Sequence, residues 1–175
     1  DLIYAVGVLH HLADPMRGWR ELVSVLAADG CMLVGLYSER SRQDVAAAKA
    51  FIAERGYVST APDIRRCRQD LMSFERGAPF SRLALRADFY VTGECRDLLF
   101  HVREHRFTLP EVRRSLDALG LQFDGFVLES QFARRHAERY RSGAGLEHVE
   151  DWEAFEAGFP DAFAGMDIFW VRKER

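Results

Sequence analysis

Apolar and polar positions follow two rhythms along this chain. Leu2 to Val6 form a short apolar run that reads as a buried strand. A loop with Gly7 and the His10-His11 pair follows. Asp14-Pro15 predicts a helix start, with Asp at the N-cap and Pro at the first helical position. Trp19, Leu22, Val23 and Leu26 then recur at i, i+3, i+4 and i+7, which is one apolar helical face. Asp29-Gly30 predicts the stop. Cys31 to Leu36 reads as a second buried strand. Strand, helix, strand at this spacing, with strands that do not alternate, predicts a parallel right-handed crossover.

The pattern then turns helical. Ser41 and Asp44 suggest a capping box, and Ala48, Phe51 and Ile52 give an apolar face up to Gly56. A further helix is predicted over 62–75, with Ile64, Cys67, Leu71 and Met72 inward. Short helices are predicted near 81–87 and 94–101, so that about 41–105 forms a helical insertion. Regular α/β pattern resumes at Phe107. Thr108 is a good N-cap, Glu111 sits at N3, and Phe107 and Val112 form a hydrophobic staple. Leu116 and Leu119 continue that face to Gly120. Leu121 to Leu128 reads as a third strand, followed by a polar helix over 131–141 and another around Trp152 and Phe155. A second helical segment thus covers about 130–158. Met166 to Val171 is a last strand, apolar on both faces. No internal repeat or low-complexity segment is present.

Composition narrows the function classes. The 175 residues carry a net charge of −3 and 48% apolar residues, with 13 Phe, 5 Tyr and 3 Trp, enough for one sizeable core. The 24 basic residues nearly balance the 27 acidic ones, so no charge excess points to nucleic acid. Cys31, Cys67 and Cys95 have no CxxC spacing, which suggests neither a disulfide framework nor a cysteine zinc site. A reducing, cytoplasmic setting fits best. Apolar runs are strand-sized, short of the roughly 20 residues of a membrane helix. No signal-peptide pattern opens the chain. It begins at Asp1 and enters a strand at once, as expected of a fragment. The first strand is then expected to leave an exposed apolar edge prone to self-pairing.

In an open parallel α/β sheet, ligands bind beyond the carboxyl ends of the strands. The first such end runs from Ala5 to Leu12. Gly7 permits close backbone approach. His10 and His11 place imidazoles at the rim, where a pKa near neutrality allows proton transfer. Equally, one could cap the loop and the other be solvated. Tyr37, ending the second strand, could line the same cleft.

These residues carry a resemblance. Asp1-Leu2-Ile3, Val8-Leu9-His10-His11-Leu12, Asp14-Pro15, a helix, and Asp29-Gly30 before a strand are similar to the middle of class I S-adenosylmethionine-dependent methyltransferases. Thr108-Leu109-Pro110-Glu111 through Leu119-Gly120-Leu121 resembles the family's helix before strand six. The resemblance implies an α/β fold: a partial Rossmann-like methyltransferase sheet of strands four to seven, the last antiparallel, with helical insertions. It covers 1–40 and 107–129 well and 165–173 loosely. It implies S-adenosylmethionine as cofactor, lying along Ala5, Val6, Gly7 and His10, with His10 as base or orienter for the acceptor. His11, Tyr37, Glu104 and His105 would face a small-molecule or protein acceptor, and the insertion would form a lid. The family's first strand, its glycine-rich loop and the acidic residue ending strand two have no counterpart here, and Gly143-Ala144-Gly145 is no substitute. The chain therefore resembles the C-terminal half of such an enzyme, which alone would bind the cofactor poorly. A non-catalytic, partner-binding relative is the first alternative, and a metal hydrolase using His101, Glu104 and His105 the second.

Other motifs point elsewhere less strongly. His101, Glu104 and His105 match H-x-x-E-H, and on a helix the two histidines could grip a metal. Thr108 and Pro110 break a helix just afterwards, and no third ligand is identifiable, so no metal is expected. The Arg65, Arg66 and Arg68 group and the Arg134, Arg135, Arg139 and Arg141 group alternate with acids, as solvated helix faces do. Trp152, Phe155, Phe159 and Phe163 read as core packing ahead of a pocket wall. No G-x-S-x-G or Walker A loop is present, which leaves hydrolase and triphosphatase readings unsupported.

Overall fold

The structure is a computed structural model that describes residues 1–75, 77–140, 148–163 and 166–174. Gly143, Ala144, Gly145 and Arg141 lie outside the described residues. The chain divides into two compact units, one of Asp1–Ser41 with Arg103–Arg175 and one of Arg42–Val102.

The first unit is built on a four-stranded sheet of β1 (Leu2–Val6), β2 (Cys31–Tyr37), β3 (Leu121–Phe126) and β4 (Met166–Lys173). The order is β1-β2-β4-β3. β1 and β2 are parallel, and β4 runs antiparallel between β2 and β3. α1 (Pro15–Val25) makes the crossover from β1 to β2. The Asp14 carboxylate accepts from the Arg17 amide at 2.9 Å, with Pro15 at N1, as the sequence predicts. The helix ends at Val25, short of Asp29-Gly30. Gly30 serves packing instead, since a Cβ there would lie 2.9 Å from both the Asp1 carbonyl and Leu26.

α5 (Leu109–Leu119) opens with the full Thr108/Glu111 capping box and closes on Gly120 at φ 62°. β3 stops at Phe126, earlier than the predicted Leu128, and within it a bulge sets Phe123 opposite Val171 and Gly125 opposite Trp170. The bulge lets Phe123 and Phe126, three apart, share one face and meet at 4.9 Å. α6 (Ser130–Arg139) and α7 (Val149–Gly158) follow.

The core lies on one face of the sheet. Met32, Val34, Phe169 and Val171 are fully buried against Trp19 of α1, Leu116 of α5 and Phe155 of α7. Trp152, Phe155 and Phe163 belong to this core. Two expectations need correction. β1 is not buried throughout, since only Ala5 is covered and Leu2 and Tyr4 are exposed. β4 is not buried on both faces: Asp167, Phe169 and Val171 point inward while Ile168 and Trp170 are half-buried.

The second unit packs α2 (Gln43–Arg55), α3 (Ala61–Ser73), a 3-10 turn at Ser81–Leu85 and α4 (Thr92–Leu99) around Phe51, Ile64, Leu83 and Phe89. Thr60 caps α3, and Gly56 at φ 70° ends α2. The N-cap of α2 is Arg42, without a side-chain bond, so Ser41 is not the cap the sequence suggests. Met72 is exposed, contrary to its predicted inward place. Burial pushes the Cys67 thiol up to about 12 and the Cys95 thiol up to about 11. Among the described residues, no helix is long and apolar enough to cross a membrane.

Candidate functional site

The site is built where β1 and β2 end. After Val6 the chain turns at Gly7, whose φ is 76° and whose absent Cβ would meet nothing within 4 Å. A 3-10 turn at Leu9–His11 then brings both histidines back over the end of β2. The His10 ring stacks on Tyr37, centroids 3.7 Å apart and planes 24° apart. The His11 ring meets both edge-on, at 4.4 Å from His10 and 5.5 Å from Tyr37. His10 is fully buried, while His11 and Tyr37 are half-buried.

Residues 103–107 cross these strand ends as a strap. The His105 amide donates to the His10 carbonyl at 2.8 Å, and the Phe107 amide to the Tyr37 carbonyl at 2.8 Å. The Glu39 amide returns a bond to the Phe107 carbonyl at 2.9 Å. His11 Nδ1 lies 3.1 Å from the Arg103 carbonyl. Arg106 Nε lies 3.1 Å from the Glu39 carboxylate. The rings of His10, His11 and Tyr37 therefore gather at one end of the sheet, where His105 joins through its backbone amide and lines a cavity with Met16, Phe107 and Glu111. Glu104 sits in the strap, half-buried.

The H-x-x-E-H string takes a different form from the helix its spacing suggests. α4 ends at Leu99, and residues 101–106 are not helical. The i, i+4 relation of His101 and His105 thus puts them on no common helical face. Among the described residues, no group of three His, Cys, Asp or Glu side chains could hold a metal.

A buried polar cluster next to Tyr37 escaped the sequence reading. Glu156 of α7 accepts hydrogen bonds from the Ser38 and Ser41 hydroxyls, the latter at 3.1 Å. Ser38 Oγ also accepts from the Ser41 amide at 3.1 Å, and Arg40 Nε lies 3.8 Å from Glu156. Asp167, paired with Leu36 at the start of β4, is fully buried, and neither of its oxygens has a hydrogen-bond partner among the described residues. Burial, and next the charge of Glu156, hold its carboxyl well above the usual carboxylate range. Contacts between residues 118 positions apart leave no local signal in the sequence. Of the two serines, Ser41 alone is read from the sequence, as a cap-like residue.

Comparison with known proteins agrees with this topology. No family model matches the chain. An uncharacterized protein of Synechococcus sp. is 31% identical over 137 residues, 72% of this chain and 32% of its own length. The structure of PKMT2 from Rickettsia typhi superposes with a TM-score of 0.70 at 10% identity, covering 99% of this chain and 35% of that one. PKMT2 in complex with AdoHcy superposes with a TM-score of 0.67 at 11% identity, covering 100% of this chain and 36% of that one. The chain thus spans about a third of the length of each, 32% to 36%. The sheet order, the antiparallel β4 and these superpositions give the chain a mixed α/β fold similar to that of the PKMT2 structures.

Proposed function

We propose that this chain is part of a longer S-adenosylmethionine-dependent methyltransferase acting on a small molecule or a protein side chain. The observation that carries the reading is the superposition of the sheet on a structure complexed with AdoHcy, the product of S-adenosylmethionine. The histidine–tyrosine cluster lies at the ligand-binding end of that sheet. Three free cysteines are in keeping with a reducing cytoplasm.

At Gly7, with φ 76° and nothing within 4 Å of where a Cβ would stand, the backbone is open to the close approach of such a cofactor. Ala5, Val6, Gly7 and His10 would hold its methionine end. Bound there, S-adenosylmethionine supplies an activated methyl group on a sulfonium. The protein's own task is then alignment of the acceptor and, where needed, removal of its proton. His10 takes that role as base or orienter, its ring plane fixed by Tyr37 before an acceptor arrives. His11, Tyr37, Glu104 and His105 line the acceptor's approach.

Titration of the longer protein with AdoHcy, then transfer of labelled methyl groups to candidate acceptors, tests the reading. We expect one AdoHcy per chain, and a loss of transfer of about 100-fold in His10→Ala with the fold intact. Unchanged transfer in that variant removes the role of His10. Failure to bind AdoHcy overturns the methyltransferase reading and leaves a partner-binding relative in its place.

A further inference from the structure

We infer that Glu156 is a positioning residue for the site at the ends of β1 and β2: it fixes the turn after Tyr37 and, through that turn, the strap that holds His10 and His11. The inference rests on the methyl-transfer reading only for what the positioned groups do.

One carboxylate engages three of the four residues of the turn at 38–41. Ser38 and Ser41 donate to it, and Arg40 lies 3.8 Å away. The fourth, Glu39, grips the strap through its amide, 2.9 Å from the Phe107 carbonyl, and through its ion pair with Arg106. The strap in turn bonds His10 through the His105 amide at 2.8 Å and meets His11 at the Arg103 carbonyl. Polar contacts and the turn itself thus link α7 to the His10 backbone carbonyl and to the His11 imidazole, whose ring meets that of His10 at 4.4 Å.

Stability alone does not call for this arrangement. Glu156 is 4% exposed, on a helix whose other inward residues are Val149, Trp152 and Phe155. An apolar residue there would pack that face without the cost of removing a carboxylate from water. A second buried carboxyl, Asp167, feels the charge of Glu156 and has no hydrogen-bond partner among the described residues. Sequences depart from local packing rules in this way mainly at functional sites. The turn also needs an anchor of its own, because β2 ends at Tyr37 and regular ladder bonds end with it.

The test follows the His10 and His11 imidazole signals by NMR in the longer protein through a pH titration, for the parent, Glu156→Ala and Glu156→Gln. We expect Glu156→Ala to move both titration curves while the amide signals of β1 and β4 stay in place. Glu156→Gln, whose amide oxygen still accepts from both serines, should restore most of the parent behaviour. In transfer assays Glu156→Ala should lower kcat by about 10- to 100-fold and leave AdoHcy affinity within about twofold. Unmoved imidazole titrations in folded Glu156→Ala overturn the inference. Should that variant not fold, Ser41→Ala removes one strand of the same link and must move the same signals; no movement overturns the inference equally. If the parent fails to bind AdoHcy, the methyl-transfer reading falls while the imidazole titrations still decide the positioning.

Discussion

On one face of the sheet, Met32, Val34, Phe169 and Val171 are fully buried beneath α1, α5 and α7; on the other, Leu2 and Tyr4 are 61% and 68% exposed, and Leu33, Ile168 and Trp170 are half-buried. The two faces share the same strands and nearly the same apolar composition. Burial along these strands therefore follows residue parity, set by which face the helices cover. A run apolar at every position reads as a strand buried on both sides. That reading holds for the local element and overshoots for its surroundings.

Neighbouring residues on β4 offer the strongest way to break this comparison. Phe169→Ala should cost about 3–5 kcal/mol in urea unfolding, because it empties a closed core. Trp170→Ala, on the open face, should cost well under half as much; equal losses would contradict the asymmetry. Asp167 tests the covered face by pH. Burial, and next the Glu156 charge, raise its folded carboxyl well above the usual range, while in the unfolded chain it ionises near its ordinary value of about 3.9. Stability from this group is therefore complete below that value and is lost as pH rises through the raised folded value. Asp167→Asn should match the parent in acid and exceed it at about pH 8, measured by thermal unfolding across pH. A parallel pH dependence in the two proteins would contradict this placement. A smaller effect probes a covering helix: Thr108→Ala should lower stability by about 1 kcal/mol through loss of the α5 capping box. Thiol labelling sharpens the comparison without touching stability. Cys31, on the open face, should react in the native protein, whereas Cys67 and Cys95, pushed up to about 12 and about 11, should react only on unfolding. Val34→Cys should add no reactive thiol to the native protein.

Features set by short-range chemistry were legible in the sequence. Asp14-Pro15, the Thr108/Glu111 box and Gly120 each mark a helix end within a few residues of the bonds they make. The strand ends that gather His10, His11 and Tyr37 follow from the same local punctuation, together with the rule that sheets bind ligands at their carboxyl edge. The strap lay hidden, because its bonds join residues 105 and 107 to residues 10 and 37 through backbone groups that every residue carries. Glu156 lay hidden for a related reason. On α7 it reads as one more surface acid beside Glu150, Asp151 and Glu153, and only the fold turns it toward Ser38. Gly30 shows the reverse error: a glycine read as a helix stop is needed for close approach to Asp1 and Leu26.

The most direct test of the central claim is a backbone-amide NMR map of AdoHcy binding in the longer protein. The account predicts saturable shifts concentrated at Ala5, Val6, Gly7 and His10, with the amides of α6 unmoved. Shifts confined to other parts of the chain, or none at saturating AdoHcy, would contradict it.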